Sequence, residues 1–143
     1  MEIKRPKYQK KVWGKEEHIV NNDKYCGKKL HLKEGFRCSI HSHPKEETFY
    51  IEKGLVFMEL ENENKKESSL SDDNERNNEM ENFILKTKDI VHILPNTNHR
   101  FSGLKNSVII EFSTPDTESQ RKTQSEKIPD FENWRAKILG GKK

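Results

Sequence analysis

The sequence has few cysteines, no long apolar run and no large excess of one charge. Its two cysteines, Cys26 and Cys38, lack CxxC spacing, and they need not pair in a reducing compartment. No apolar stretch is long enough to span a membrane, and no signal-peptide core follows Met1. We therefore expect a soluble, cytoplasmic protein without a membrane partner. The net charge is only +3, with acidic and basic residues intermixed, which argues against a nucleic-acid partner.

Hydrophobic residues are also scarce, at 30% of the chain against 36% charged residues. The charge is concentrated in the first dozen residues, in an insert at about 61–82 and in a polar tail at 116–143. We predict that the insert is disordered, with a functional lid as the alternative. The chain as a whole, 1–143, is expected to form one domain with a core at about 12–115. The predicted core residues are Ile40, Phe49, Ile51, Leu55, Val56, Phe57, Ile90, Ile93, Val108, Ile109, Ile110 and Phe112.

Glycines, turns and short alternating runs predict an all-β sandwich or barrel rather than βαβ units. Near the end of the chain, Phe131, Trp134 and Ile138 lie at helical spacing, so we predict a short docking helix. The basic run at 4–11, KRPKYQKK, is interpreted as a solvated, frayed N-terminus, with an anion-binding arm as the alternative.

Candidate metal ligands lie in the segment 35–54, GFRCSIHSHPKEETFYIEKG. His41 and His43 are two residues apart, so their side chains project to the same side of a strand. Glu47 begins the next strand, and His99 follows a turn further along the chain. Imidazole and carboxylate ligands suit Zn, Mn, Ni or Fe(II), so we predict one divalent transition metal. The alternative is a site that binds metal weakly or not at all.

This segment resembles the first cupin motif, a glycine, five residues, His-x-His, three residues, a glutamate, six residues and a glycine, at every fixed position. The second cupin motif is matched at His99, with Pro95 one position late and Asn96 where the motif has glycine. We expect the turn to be kept, because asparagine tolerates the left-handed conformation. The resemblance implies a single double-stranded β-helix, or jelly-roll, barrel and, as is common in cupins, a homodimer.

The lead-in to the first strands, with Trp13, Gly14 and an acidic residue at 16 or 17, resembles that of type II mannose-6-phosphate isomerase cupins, as does the strand at 109–115, IIEFSTP. This resemblance implies a carbohydrate substrate, a sugar or sugar phosphate. The implied reaction is metal-dependent aldose–ketose isomerisation. Two alternatives stay open, a non-catalytic sugar-binding or regulatory cupin and an Fe(II)-dependent cupin dioxygenase, for which the same ligands fit equally well.

Isomerisation requires a base beside the metal, and Glu111 is the candidate. Its pKa is expected to be raised by an apolar floor, and a solvated outward carboxylate is the alternative. Phe49 shares the inward parity of Glu47 and is predicted to form that floor. His92 is a candidate for the pocket opening, with a structural role as the alternative.

Strand parity places Arg37 on the face of His41, where it is predicted to hold an anionic substrate group. A structural salt bridge is the alternative. By the same parity Phe36, Cys38 and Ile40 point outward, consistent with a dimer interface.

Overall fold

The computed structural model describes residues 2–62 and 80–140. These residues form two antiparallel sheets and one C-terminal helix, which confirms the predicted fold class. The strands are β1 (Lys7–Lys11), β2 (Gly14–Asn21), β3 (Cys26–Leu32), β4 (Phe36–Arg37), β5 (His41–Ser42), β6 (Glu47–Lys53), β7 (Leu55–Glu61), β8 (Met80–Lys86), β9 (Ile90–Ile93), β10 (His99–Gly103), β11 (Ser107–Ser113), β12 (Gln120–Arg121) and β13 (Glu126–Lys127), and the helix is α1 (Phe131–Gly140). The predicted insert at 61–82 lies mostly outside the described residues.

Pairing between strands that are far apart in sequence builds both sheets. The first sheet has the order β1-β2-β3-β11-β6-β9. In the second, β10 pairs with β7, which pairs with β8. On its other side β10 pairs with β4 and β5, which pair in turn with β13 and β12. Because β10 and β11 lie inside the two sheets, the second half of the chain is placed beside the predicted metal strand.

The core lies between the sheets, where inward residues of both alternate with outward ones. Ile90 and Phe112, predicted to be core residues, are instead 67% and 57% exposed. Each occupies an outward position of its strand, since Phe112 follows the inward Glu111. A compact apolar run in the sequence does not distinguish the two faces. The core cluster comprises Trp13, Leu30, Leu32, Cys38, Phe49, Ile51, Val56, Met58, Leu85, Ile93, Phe101 and Ile109.

The basic N-terminal run is ordered over its second half. Lys7–Lys11 forms β1, which pairs with β2 from Lys7 opposite His18 to Lys11 opposite Gly14. The prediction of a frayed N-terminus is therefore wrong for these residues. The backbone hydrogen bonds of this hairpin fix the side chains of β1 at the edge of the first sheet.

The predicted C-terminal helix is confirmed and docks on the second sheet. The ring of Trp134 meets that of Phe57 edge to face at 5.6 Å, and Phe131 stacks on Trp134 at 6.1 Å. The Arg135 guanidinium donates a hydrogen bond to the Leu104 carbonyl at 3.0 Å. Within the described residues, no helix is both long and apolar enough to cross a membrane.

Two turns explain residues singled out in the sequence. Gly54 has φ 105°, and a Cβ there would lie 2.2 Å from Ser107 Oγ, so both backbone and space require glycine. Asn96 adopts the expected left-handed conformation, with φ 60°, and its N–H donates to the His43 carbonyl at 2.8 Å. The turn before His99 is thereby tied to the strand that carries the other histidines.

A bulge interrupts the metal strand between β4 and β5. Arg37 lies opposite Ser102 and His41 opposite His99. The two pairs are thus separated by four residues along the metal strand but by only three along β10. The extra residue reverses the side-chain parity after Arg37. Cys38 consequently points into the core rather than outward, and the predicted outward face of Phe36, Cys38 and Ile40 is wrong. The homodimer stays a prediction without that support.

Candidate metal centre

The structure brings all four predicted ligands to one point between the sheets. The three histidines each offer a nitrogen, and these nitrogens lie within 4.8 Å of one another. Glu47 Oε1 is 3.3 Å from His43 Nε2 and 3.4 Å from His99 Nε2. Direct pairing of His41 with His99 across β5 and β10 explains how residues so far apart in sequence meet.

Backbone carbonyls orient two of the imidazoles. His41 Nδ1 lies 2.8 Å from the Ser39 carbonyl oxygen, and His99 Nδ1 lies 2.9 Å from that of Thr97. Because a carbonyl can only accept, each Nδ1 carries the proton and donates it. Each Nε2 is left with a free lone pair, as in metal-binding histidines held by an outer hydrogen bond.

Unsatisfied buried atoms indicate what the site can hold. His43 Nδ1, Glu47 Oε1 and His99 Nε2 are buried and make no hydrogen bond to any residue in the described part of the chain. Leaving such atoms unpaired costs about 1–3 kcal/mol each. Three imidazoles and one carboxylate form a donor set that suits Zn, Mn, Ni or Fe(II). The residues therefore fit a divalent transition metal.

The protonation states also suit metal binding. Burial, reinforced by nearby positive charge, lowers the pKa of His41 and His99, and it lowers that of His43 to about 4. These imidazoles are thus neutral at neutral pH, the form that coordinates metal. Burial raises the pKa of Glu47, and the charge of Glu111 raises it further.

A buried ion network adjoins the four ligands. Lys45 is 5% exposed, and its Nζ lies 2.7 Å from Glu111 Oε2, 2.5 Å from Asp116 Oδ1 and 3.6 Å from Glu47 Oε2. Lys28 Nζ reaches the other oxygen of Asp116 at 2.8 Å. Sequence reasoning missed this network, although Lys45 alternates with His43 and Glu47 and so could have been placed on their face. Lys28 and Asp116 required the pairing of β3 with β11, which no local pattern reveals.

Glu111 points inward, opposite Phe49 on β6. Burial alone would raise the pKa of its carboxyl, but the charges of Lys45 and Lys28 outweigh burial and lower it. The expected upward shift is therefore wrong. Ser113 Oγ also donates to this carboxylate at 2.9 Å, so Glu111 is ionised at neutral pH.

A cavity of about 740 Å³ opens onto the candidate centre and is lined by His41, His43 and Glu47. Phe49, as predicted, and Phe101 supply an apolar part of its wall. Cavities of this size are typical of small-molecule sites, roughly 300–1,000 Å³.

Two predicted substrate contacts do not line this cavity. Arg37 donates to Glu126 on β13 through both Nε and Nη2, at 2.8 and 2.5 Å, which is the structural salt bridge considered as its alternative. His92 lies on the outer side of β9, with Nε2 2.8 Å from Glu46 Oε2 and Nδ1 3.1 Å from Thr48 Oγ1. The bulge after Arg37 explains why its parity did not match that of His41.

No protein-family model matches the sequence. Among solved structures, an RmlC-like cupin from Shewanella frigidimarina is 13% identical with a TM-score of 0.62, over 79% of this chain and 86% of that one. The capsular polysaccharide assembling protein CapF from Staphylococcus aureus is 14% identical with a TM-score of 0.63, over 88% of this chain and 32% of that one. Oxalate decarboxylase from Lactobacillus farciminis is 16% identical with a TM-score of 0.58, over 79% of this chain and 32% of that one. At these identities the likeness establishes the fold, the double-stranded β-helix of cupins.

Proposed function

We propose that this chain is a metal-dependent cupin enzyme that acts on a sugar or sugar phosphate by aldose–ketose isomerisation. The observation that carries the proposal is the convergence of His41, His43, Glu47 and His99 beside a buried Lys45–Glu111 pair. All of these residues except the fully buried His99 line one cavity. A sugar-related function is supported by the likeness to CapF, described as assembling a capsular polysaccharide.

The four ligand residues would hold the ion, and a bound divalent ion would supply the positive charge that polarises the carbonyl and adjacent hydroxyl of a sugar. The remaining chemistry is proton transfer. A proton leaves the carbon next to the carbonyl and returns to the former carbonyl carbon, while the hydroxyl proton moves between the two oxygens. Atoms and electrons balance without an oxidant or a reductant.

Glu111 and Lys45 divide the acid–base roles in this proposal. The Glu111 carboxylate is ionised and borders the cavity, so it can accept the carbon-bound proton. Its lowered pKa makes it a weak base, which suits only a C–H bond already acidified by the polarised carbonyl. The Lys45 ammonium stabilises the negative charge that develops on the sugar oxygens, because it is fixed in a water-poor site.

A non-catalytic sugar-binding cupin is the second candidate, and a specific observation favours it. The Glu111 carboxylate already accepts hydrogen bonds from Lys45 and Ser113, and such bonds oppose its action as a base. In this alternative the ion network only shapes the cavity.

Solvent exchange distinguishes the two candidates. The full-length protein is reconstituted with Zn²⁺ or Mn²⁺ and incubated in D₂O with mannose 6-phosphate or fructose 6-phosphate, and deuterium at carbons 1 and 2 is followed by NMR. We expect interconversion with deuterium incorporation, and a loss of about 10²–10⁴-fold in rate for Glu111→Gln. His92→Gln, outside the cavity, is the matched control. Sugar binding without any exchange would favour the binding module.

Oxygen chemistry is tested in the same preparation. The protein reconstituted with Fe(II) is supplied with these sugars in an oxygen electrode. Sugar-dependent oxygen consumption without isomerisation would support the dioxygenase alternative over the isomerase.

A further inference from the structure

The mouth of the cavity is formed by a C-terminal segment, the strap, which we define as residues 117–125. Thr117, Glu118, Ser119, Arg121, Gln124 and Ser125 of the strap line the cavity. The strap is held on the metal strand by the β12–β5 pairing. The Lys122 N–H also donates to the Ile40 carbonyl at 2.8 Å, and the Ile40 N–H donates to Thr123 Oγ1 at 2.8 Å. The strap thus has a defined position relative to the candidate metal centre.

Arg121 occupies the strap position directly opposite His41. Directly opposed residues of an antiparallel pair project to the same face, with Cβ atoms about 4.5–5.5 Å apart. Since His41 points to the metal centre, the Arg121 side chain projects to the same side and borders the cavity. The Arg121 guanidinium is therefore placed beside the candidate ligand His41, on the neighbouring strand β12.

Arg121 differs from three other arginines of the described residues in having no carboxylate partner. Arg37, Arg100 and Arg135 each form an ion pair with a carboxylate. The Arg121 guanidinium makes no hydrogen bond or ion pair with a residue in the ranges 2–62 and 80–140, although Glu118 also lines the cavity. Its five donors are free in a fork that matches carboxylate and phosphate oxygens.

A second cation lies on the cavity wall from the opposite end of the chain. Lys10 of β1 lines the cavity, and its ammonium group has no ionic or hydrogen-bonded partner within the described residues. Its neighbour Lys11 differs, because Lys11 Nζ lies 3.8 Å from Glu16 Oε2. The deeper lysines Lys28 and Lys45 are likewise neutralised by carboxylates. The cations of the cavity that have no carboxylate within ion-pair distance are consequently Arg121 and Lys10, whose residues line it together with one carboxylate, Glu118.

We propose that Arg121, assisted by Lys10, binds an anionic group of the substrate, a carboxylate or a phosphate, while the reacting carbonyl end lies at the candidate metal centre. The inference rests on the proposed function for the position of the reacting end. It deepens that function by specifying a negatively charged sugar.

The test compares three sugars that differ in the group at carbon 6, namely neutral mannose, mannose 6-phosphate with a phosphate and mannuronate with a carboxylate. Dissociation constants are measured by isothermal titration calorimetry on the Zn²⁺-reconstituted full chain. We expect at least one charged sugar to bind about tenfold or more tightly than mannose, and the preferred one identifies the anion as phosphate or carboxylate. Arg121→Gln should weaken that sugar roughly ten- to hundredfold, as expected for a charged hydrogen bond, and change mannose binding less than twofold.

Two further variants control this result. Arg5→Gln removes the same group from an exposed position outside the cavity and should leave all three constants unchanged. Arg121→Lys retains the charge without the fork and should show an intermediate loss. Unchanged preference in Arg121→Gln, equal binding of charged and neutral sugars, or no binding of any sugar at millimolar concentration would each overturn the inference.

Failure of this inference and failure of the proposed function are separable. Tight binding of a charged sugar through Arg121 without deuterium exchange would remove the isomerase and keep the anion site. Exchange at equal rates on charged sugars and on their neutral counterparts would keep the isomerase and remove the anion site.

Discussion

Replacement of Lys45 by methionine tests the buried ion network beside the candidate metal centre. Lys45 Nζ is within 4 Å of carboxylate oxygens from Glu47, Glu111 and Asp116, and the Lys45 and Glu111 side chains are each 4% exposed. Methionine keeps the apolar stem but leaves the Glu111 carboxylate with less compensation. Removing one partner of a buried ion pair costs about 3–5 kcal/mol, and burial leaves little solvent screening to reduce that figure. We expect a loss of about this size in the free energy of unfolding at about pH 7.5.

The loss should depend on pH with a defined sign. In the natural protein the lowered pKa of Glu111 contributes stability above its unfolded value, and this is lost as the pH falls through the folded value. Without Lys45, the effect of burial on the Glu111 pKa is opposed by less positive charge, that of Lys28, so this pKa is higher than in the natural protein. The variant is therefore most destabilised at high pH, and protonation of Glu111 relieves part of the loss. The stability gap between the two proteins should therefore narrow from about pH 7.5 to about pH 5.

Urea unfolding of the metal-free protein in a chelator, followed by tryptophan fluorescence and far-UV circular dichroism, measures both effects. Lys127→Met on β13, an exposed position, is the matched control and should change stability by less than about 0.5 kcal/mol. Adding Glu111→Gln to Lys45→Met should recover part of the loss, because the uncompensated charge is removed. A loss below about 1 kcal/mol at pH 7.5, or a gap that does not change with pH, would refute the reasoning.

Three further outcomes are expected. His41→Ala should lose most bound transition metal by elemental analysis while His92→Ala retains it, and equal metal contents would contradict the ligand assignment. Zn²⁺ binding at about pH 7 should release nearly one proton per ion, measured by calorimetry in buffers of different ionisation enthalpy, because the raised pKa leaves Glu47 protonated while the histidines are already neutral. The Cys38 thiol, whose pKa burial raises to about 12, should resist a disulfide reagent in the folded protein and react in urea; rapid reaction when folded would show that it is not buried.

Local patterns in the sequence were sufficient for most of the fold. The glycines, turns and short alternating runs predicted the all-β class that the two antiparallel sheets confirm. The HxH spacing and the following glutamate identified side chains that do meet, because the ligands of β5 and β6 are close in sequence. His99 was found through its turn residues, Pro95 and Asn96.

Long-range and irregular features could not be obtained in this way. One additional residue between Arg37 and His41 reversed the parity on which the positions of Arg37 and Cys38 had been predicted. The pKa of Glu111 depends on Lys28 and Lys45, which come from other strands and meet it only after the sheets form. The direction of a side chain can be counted along the sequence only where the strand pairing has no bulge. The pKa of a buried group can be predicted only when the charged residues on neighbouring strands are known.

The attachment of the strap to β5 has a consequence for how such a protein can diversify. The side chains that would hold an ion belong to strands whose register is fixed by the core, whereas Arg121 belongs to a surface segment with no residue in the core cluster. Substitutions between residues 117 and 125 can therefore change which molecules are selected while the reactive machinery is left intact. A library randomised only at the exposed positions Thr117, Glu118, Arg121 and Gln124, with Thr123 kept for its hydrogen bond to the Ile40 N–H, should yield altered selectivity at nearly constant folding stability.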